Sequence, residues 1–212
     1  MMPAIESLAQ LLFPTRCIGC KEIGVLICST CRLEWHPHLY STNISSIPVH
    51  SGVIYSKTAS KILLSAKENG LKAADGLIIK AIDHVLSQAN LSNYDVRLVP
   101  IPSSRSARRR RGRNFMVDIS QGVGELSGYK ISDSLELVRK VRDQSGLHAD
   151  ARSENLRGAF AVKAGSYPRG DLILIDDVVT TGSTLREAVR ALTCQGFSVL
   201  ASVTACVAQP LR

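Results

Sequence analysis

The segment LILIDDVVTTGSTL, from Leu172 to Leu185, constrains the fold more than any other part of the chain. Leu172, Ile173, Leu174 and Ile175 are apolar without alternation, the pattern of a central strand in a parallel sheet covered on both faces. Asp176 and Asp177 follow directly. Two carboxylates about 4 Å apart repel by roughly 4 kcal/mol at an effective dielectric of about 20. A buried strand that runs into such a pair calls for a compensating cation or a hydroxyl-rich ligand. Beyond Val178 and Val179, the residues Thr180, Thr181, Gly182, Ser183 and Thr184 lead into Leu185, Ala188, Val189 and Leu192, whose spacing is helical. The pattern predicts a helix that starts near Ser183 under a hydroxyl cap and ends near Gly196.

A strand, turn and helix in that order build a ligand corner. Open α/β sheets bind ligands outside the carboxyl ends of their strands. The first N–H groups of a helix and its positive dipole end attract an anion, and Gly182 lets backbone approach it. Carboxylates for sugar hydroxyls therefore stand beside amides and hydroxyls for a phosphate, and a ribose 5-phosphate satisfies both. The competing reading is a plain corner with a capping run and solvated aspartates. No lysine follows the glycine, so this is not a Walker A loop, and the spacing is not G-x-G-x-x-G. The stretch resembles the phosphoribosyl-pyrophosphate (PRPP) motif of type I phosphoribosyltransferases. That resemblance implies that Asp176 and Asp177 approach the ribose hydroxyls and that the Thr180–Thr184 turn holds the 5-phosphate, with Val178 and Val179 as further substrate-binding candidates.

Cys17, Cys20, Cys28 and Cys31 form a C-x2-C-x7-C-x2-C pattern. Two such pairs supply four thiolates to one tetrahedral zinc, and Gly24 between them permits a hairpin turn. So small a segment cannot bury a core, and a metal would contribute on the order of 10 kcal/mol or more. A reducible disulfide pair and an iron–sulfur cluster are the other readings. His36 and His38 read as solvated; Cys194 and Cys206 read as small buried hydrophobes in the last helix and strand.

At 212 residues the chain has room for one α/β domain and a small module, and 45% apolar content supports a core. The net charge of +8 and pI near 9.4 favour polyanionic ligands. No apolar run is long enough to span a bilayer. The opening MMPAIESLAQLLFP lacks a basic region and carries Glu6, so it reads as a short amphipathic helix, not a signal peptide. A cytoplasmic location without disulfides is the expectation.

Along the chain, residues 1–45 read as the N-terminal helix and cysteine module and 46–212 as the larger domain. LYSTNISSIPVHSG (Leu39–Gly52) reads as a linker and Val53–Ser56 as a short strand. Ala59–Lys67 and Ala73–Gln88 are helical in spacing, Val96–Pro102 is a second buried strand, and a helix is expected around Phe115–Leu126. A strand is expected within YKISDSLELVRK, a short helix over Asp150–Leu156, and a closing strand in Phe197–Ala208. Strands alternating with helices predict a mostly parallel sheet.

Six arginines fall within Arg105–Arg113, in what reads as a loop after the second buried strand. A solvated face, a pyrophosphate clamp and a nucleic-acid contact all fit such a run. Aromatic residues make up 5% of the chain and none interrupts the run, which argues against a stacking platform for single strands.

Taken together, Val99-Pro100-Ile101-Pro102, Arg111-Gly112-Arg113-Asn114, then Gln144, Gly146, Leu147, Arg152 and Asn155, with Lys67 and Gly70 upstream, resemble the ComF family of competence proteins. Three positions depart from it: R-G-R-N-F stands for R-G-F-N-Q, Ala151 for a glutamate and Ala66 for a phenylalanine. The resemblance implies a type I phosphoribosyltransferase fold, mostly parallel sheet flanked by helices, behind a zinc module. It also implies a cytoplasmic pentosyl-group glycosyltransferase that takes PRPP with Mg2+. Asp176, Asp177 and Lys67 are then the catalytic candidates, with Pro102, Ser103, Arg105, Arg109 and Arg111 as substrate-binding residues, and Lys67 and the arginines as candidates for the pyrophosphate. The acceptor base or amine is not legible. The alternatives are nucleic-acid handling with the DNA-uptake machinery and a catalytically weak PRPP or nucleotide sensor.

Overall fold

The computed structural model describes residues 14–44, 47–91, 95–139 and 155–208. Its elements are α1 (Ser29–Glu34), β1 (Tyr40–Ile44), β2 (Ile47–Ile54), α2 (Lys57–Lys67), α3 (Lys72–Gln88), β3 (Val96–Pro100), α4 (Arg105–Arg111), α5 (Phe115–Ser127), β4 (Lys130–Ile131), β5 (Leu135–Leu137), β6 (Phe160–Val162), β7 (Asp171–Val179), α6 (Ser183–Thr193) and β8 (Val199–Val207). The main sheet runs β1-β2-β8-β7-β3-β4, parallel throughout except for the antiparallel β1–β2 pair at one edge. β5 and β6 form a separate antiparallel ribbon.

The unbroken apolar run of β7 is explained by its two neighbouring layers. Ile173 and Ile175 pack with Ile62, Ile78, Ile82 and Phe115 under α2, α3 and α5, while Leu172 and Leu174 pack with Leu185, Ala188 and Leu192 of α6. All four β7 residues are fully buried. By the same alternation Asp177 falls on the α2 side and Asp176 on the α6 side.

The sheet corrects several expectations. Leu39–Gly52 is not a linker: it builds β1 and most of β2, with Thr42 opposite Val49 and Asn43 opposite Pro48. β1 is the outermost strand, so its Ser41 and Asn43 stay exposed while Ile44, like Val49 of β2, turns inward. The arginine run is not a loop. Arginine is a good helix former, and α4 is capped by Ser104, whose Oγ accepts from the Ala107 N–H at 3.2 Å, and ended by Gly112 at φ 66°. YKISDSLELVRK holds two short strands, β4 and β5, in different sheets. Cys194 is exposed just past α6, whereas Cys206 is buried in β8. The expected N-terminal helix lies outside the described residues, as does most of Asp150–Leu156. Among the described residues no helix is long and apolar enough to cross a membrane.

Candidate functional site

β7 continues through both aspartates and ends at Val179, so the acidic pair lies within the strand's last turns of pleat and is buried. The Asp177 N–H donates to Asp176 Oδ1 at 2.9 Å. Lys67, the last residue of α2, reaches across and donates from Nζ to Asp177 Oδ2 at 2.6 Å. That contact is the cation the sequence called for. Burial works against the charge of both partners, but their mutual attraction wins: Lys67 is held above its ordinary pKa and Asp177 below its own. Asp176 makes no ion pair among the described residues, and burial, followed by the charge of Asp177, pushes it well above the usual carboxylate range against the weaker pull of Lys67.

The turn after β7 departs from expectation in one respect. Gly182, not a hydroxyl residue, occupies the N-cap at φ 72°, and no side chain caps α6. The left-handed backbone favours glycine there, and a Cβ, 2.2 Å from Ile44 Cδ1, would also push that side chain of β1 aside. Thr181 Oγ1 and Ser183 Oγ are 3.0 Å apart. With Asp176, Val178, Val179, Thr180 and Thr184 they surround a small pocket of about 20 Å³ at the start of the helix. A larger cleft of about 700 Å³ opens alongside, and Lys67, Pro102, Ser103, Arg111, Asp176, Asp177, Val178, Thr180 and Thr184 all line it. Arg105 and Arg109 lie elsewhere. Arg105 borders a 130 Å³ cavity that shares Pro102 and Ser103 with the cleft, and both arginines border a 470 Å³ groove on the far side of α4.

Glu68 and Asp75 carry functional geometry that the sequence did not reveal. Glu68 Oε1 accepts from Arg111 Nε at 3.0 Å and Nη2 at 2.6 Å, and Arg110 Nε stands 3.5 Å from its other oxygen. Asp75 takes both Arg113 nitrogens, at 2.8 and 3.0 Å. α4 buries no residue of its own; Glu68, just past α2, ties down its last turn, and Asp75 of α3 holds Arg113 just beyond its C-cap. The partners are 43 and 38 residues apart in sequence, and no local spacing announces them.

The four N-terminal cysteines converge. Their sulfurs all lie within 4.8 Å of one another, and Cys20 Sγ and Cys28 Sγ are 3.6 Å apart. A tetrahedral zinc at about 2.3 Å from each sulfur would set them about 3.8 Å apart. The Cys28 N–H donates to Cys17 Sγ at 3.4 Å, a contact suited to a thiolate. Burial raises the Cys17 thiol, but the backbone N–H groups of Cys20 and Cys28 outweigh it and bring it down to about 6. Cys31 is pushed up to about 12 by burial first and by the Cys28 and Cys17 sulfurs second. Four thiolates at this separation need a cation among them, and the donor set fits a metal ion. Gly19 closes the cage: a Cβ there would lie 2.5 Å from Cys31 Sγ. The module is not detached, since Cys17, Ile18, Cys28, Cys31 and Trp35 share one core with α2 and α3. His36 and His38 are exposed, with their rings edge to face.

This fold, with its acidic strand end and uncapped helix start, defines a class. The phosphoribosyl transferase domain family matches residues 73–210, and the chain belongs to it. Competence protein F of Haemophilus influenzae is 35% identical over 98 residues, which are 45% of this chain and 43% of that protein. The DNA utilization protein YhgH of Escherichia coli K12 is 27% identical over 141 residues, 66% of this chain and 61% of that one. The matches thus span about half the length of these curated relatives. Among solved structures, the orotate phosphoribosyltransferase from Aeropyrum pernix is 13% identical with a TM-score of 0.42, covering 68% of this chain and 64% of that one.

Proposed function

We propose that the chain binds PRPP with magnesium in the 700 Å³ cleft and transfers its phosphoribosyl group to a nitrogen nucleophile, a base or an amine. The observation that carries this reading is the meeting of the buried acidic pair, the uncapped α6 start and Lys67 around one cavity. The 5-phosphate lies on the Thr180–Thr184 turn and the ribose hydroxyls face Asp176 and Asp177. Lys67, which rests on Asp177 in the free chain, and Arg111 face the pyrophosphate. In the transfer a nitrogen–C1 bond forms as the C1–oxygen bond to pyrophosphate breaks. The electron pair leaves with pyrophosphate, and the nucleophile's proton passes to solvent. The protein contributes position and fixed charge. Magnesium, which favours substrate phosphates and waters over an all-protein cage, would neutralise the leaving group, and Asp176 and Asp177 would hold its waters. Zinc is the metal we assign to the cysteine cluster. A second reading, nucleic-acid handling, is favoured by the relatives named for competence and DNA utilization. Pyrophosphate release from PRPP, measured across a panel of bases and amines, tests the transfer; no release with any of them rules it out.

Glu68 gives a test whose sign is informative. Its carboxylate holds Arg111 on the cleft wall, and that arginine is only 9% exposed. Glu68→Gln is expected to weaken PRPP binding about tenfold, near the lower limit for losing a charge-assisted contact, and to leave ribose 5-phosphate affinity unchanged. Were Glu68 merely a negative charge near an anion site, the substitution would strengthen PRPP binding, and calorimetry separates the two outcomes.

A further inference from the structure

The strand order lays the ribose-phosphate cleft across the carboxyl edge of the sheet. β7, with the acidic pair, stands in the middle. On one side β3 leads into Pro102, Ser103 and, in α4, Arg111. On the other side come β8 and then β2. Tyr55 follows β2 directly, and its N–H donates to the Val207 carbonyl of β8 at 2.7 Å, at the level where Val207 pairs with Val179 of β7. Two strand spacings, about 10 Å, therefore separate Tyr55 from β7. α2 connects the two ends of the cleft. Its eleven residues span about 16 Å, from beside Tyr55 to Lys67 on Asp177.

The wall changes character along this line. Leu64 and Lys67 of α2 and Glu68 just past it share one face at i, i+3 and i+4 and all line the cleft. Lys67 and Glu68 are committed to Asp177 and Arg111. Leu64 and Tyr55 instead stand 53% and 41% exposed, and Tyr55 is the only aromatic side chain on the wall among the described residues. Val178, next after the carboxylates, packs into the α2-side layer and lines the cleft as well. Ribose and phosphate have no use for these three apolar side chains, whereas small-molecule sites are lined mainly by such groups around a few placed polar ones.

We infer that Tyr55, together with Leu64 and Val178, is the shelf on which the acceptor lies, and that the acceptor is a flat aromatic nitrogen heterocycle, not ammonia or an alkylamine. The inference rests on the transfer reading above and names its nucleophile. With pyrophosphate on the β3 side of the ribose, aligned displacement at C1 brings the nucleophile in from the β8–β2 side, where Tyr55 stands. A ring nitrogen supplies the lone pair that forms the bond to C1. Pyrophosphate takes the pair of the broken C1–oxygen bond, and the ring N–H proton passes to solvent. A heterocycle offers a π-face to the tyrosine ring and gains from the apolar surface of Leu64 and Val178. Ammonia gains nothing from such a wall. An alkylamine, with a pKa near the ordinary lysine value of about 10.4, is a cation at neutral pH. It would meet Lys67 and Arg111 with like charge and no free lone pair.

A nucleoside 5′-monophosphate is the kind of product such a transfer releases, and it places phosphate, ribose and base in the cleft at once. Isothermal titration with adenosine, guanosine, cytidine and uridine 5′-monophosphates, set beside ribose 5-phosphate, tests the shelf in wild type, Tyr55→Ala and Tyr55→Phe. Every base has a π-face, so the nucleotides should bind wild type about tenfold tighter than ribose 5-phosphate, in the lower part of the range that loss of one stacked ring produces. Tyr55→Ala should return them to the ribose 5-phosphate level and leave ribose 5-phosphate itself unaltered, which also reports an intact fold. Tyr55→Phe should keep the gain. Nucleotides that bind no tighter than ribose 5-phosphate, or a gain that survives Tyr55→Ala, overturn the shelf and leave the ribose-phosphate site standing. No binding of nucleotide or ribose 5-phosphate by wild type overturns the phosphoribosyl reading and the shelf with it.

Discussion

Replacing Cys17 and Cys28 by serine, or stripping the metal with a chelator, is expected to unfold the N-terminal module and take part of the main core with it. A four-thiolate zinc site contributes on the order of 10 kcal/mol to a small fold, which rivals the whole stability of a typical domain, about 5–15 kcal/mol. The consequence spreads because the module is packed into the core beneath α2 and α3. Trp35, the chain's single tryptophan, is buried there and donates from Nε1 to the Leu77 carbonyl in α3 at 3.3 Å. Its emission should shift to the red as metal is lost, in step with zinc release. Full zinc content and unchanged emission in the double variant would show that the cysteines hold no structural metal.

The second large effect separates the two aspartates, which look equivalent in sequence. Asp177→Asn leaves Lys67, 27% exposed, without its partner in a mostly buried setting. Breaking a buried pair from one side costs about 3–5 kcal/mol, and the partial exposure of Lys67 places the expected loss near 3 kcal/mol. Asp176→Asn keeps the oxygen that accepts from the Asp177 N–H and removes a charge that burial disfavours. It should stabilise the free chain by about 1 kcal/mol, a fraction of the roughly 4 kcal/mol of unscreened repulsion. The pH dependences have opposite signs. The Asp177 contribution is present above the unfolded carboxylate pKa and disappears as pH falls through its depressed folded value. Asp176 binds its proton more tightly in the folded chain, so the advantage of Asp176→Asn is absent below about pH 4 and grows as pH rises towards the raised folded value. Urea unfolding of both variants from pH 3 to 8 reads these trends; equal destabilisation by the two substitutions would contradict the assigned pairing.

The local features of this molecule were legible in its sequence, and the distant ones were not. The run Leu172–Ile175 announces a strand covered on both faces because nothing but double burial tolerates four aliphatic residues in a row there. The cysteine spacing announces the cluster for the same reason: the geometry is set by a few neighbouring residues. Composition misled at Leu39–Gly52, where an outer strand pair keeps polar residues because only alternate side chains turn inward. Charge misled at Arg105–Arg111, where capping by Ser104 and Gly112 counted for more than repulsion among arginines. Glu68 and Asp75 were silent because their partners, Arg110, Arg111 and Arg113, come from another part of the chain, and only the folded chain brings them together.

Isothermal titration of wild type with PRPP, with and without magnesium and beside ribose 5-phosphate, tests the central claim most directly. The account predicts binding of both ligands, tighter and magnesium-dependent for PRPP, and loss of both in Thr181→Phe, which fills the phosphate turn without disturbing the buried strand. Several charge-assisted phosphate contacts, each worth about 1.5–3 kcal/mol, converge on that turn, so the binding should be plain at micromolar to millimolar ligand. No heat with either ligand at millimolar concentration in the presence of magnesium would contradict it.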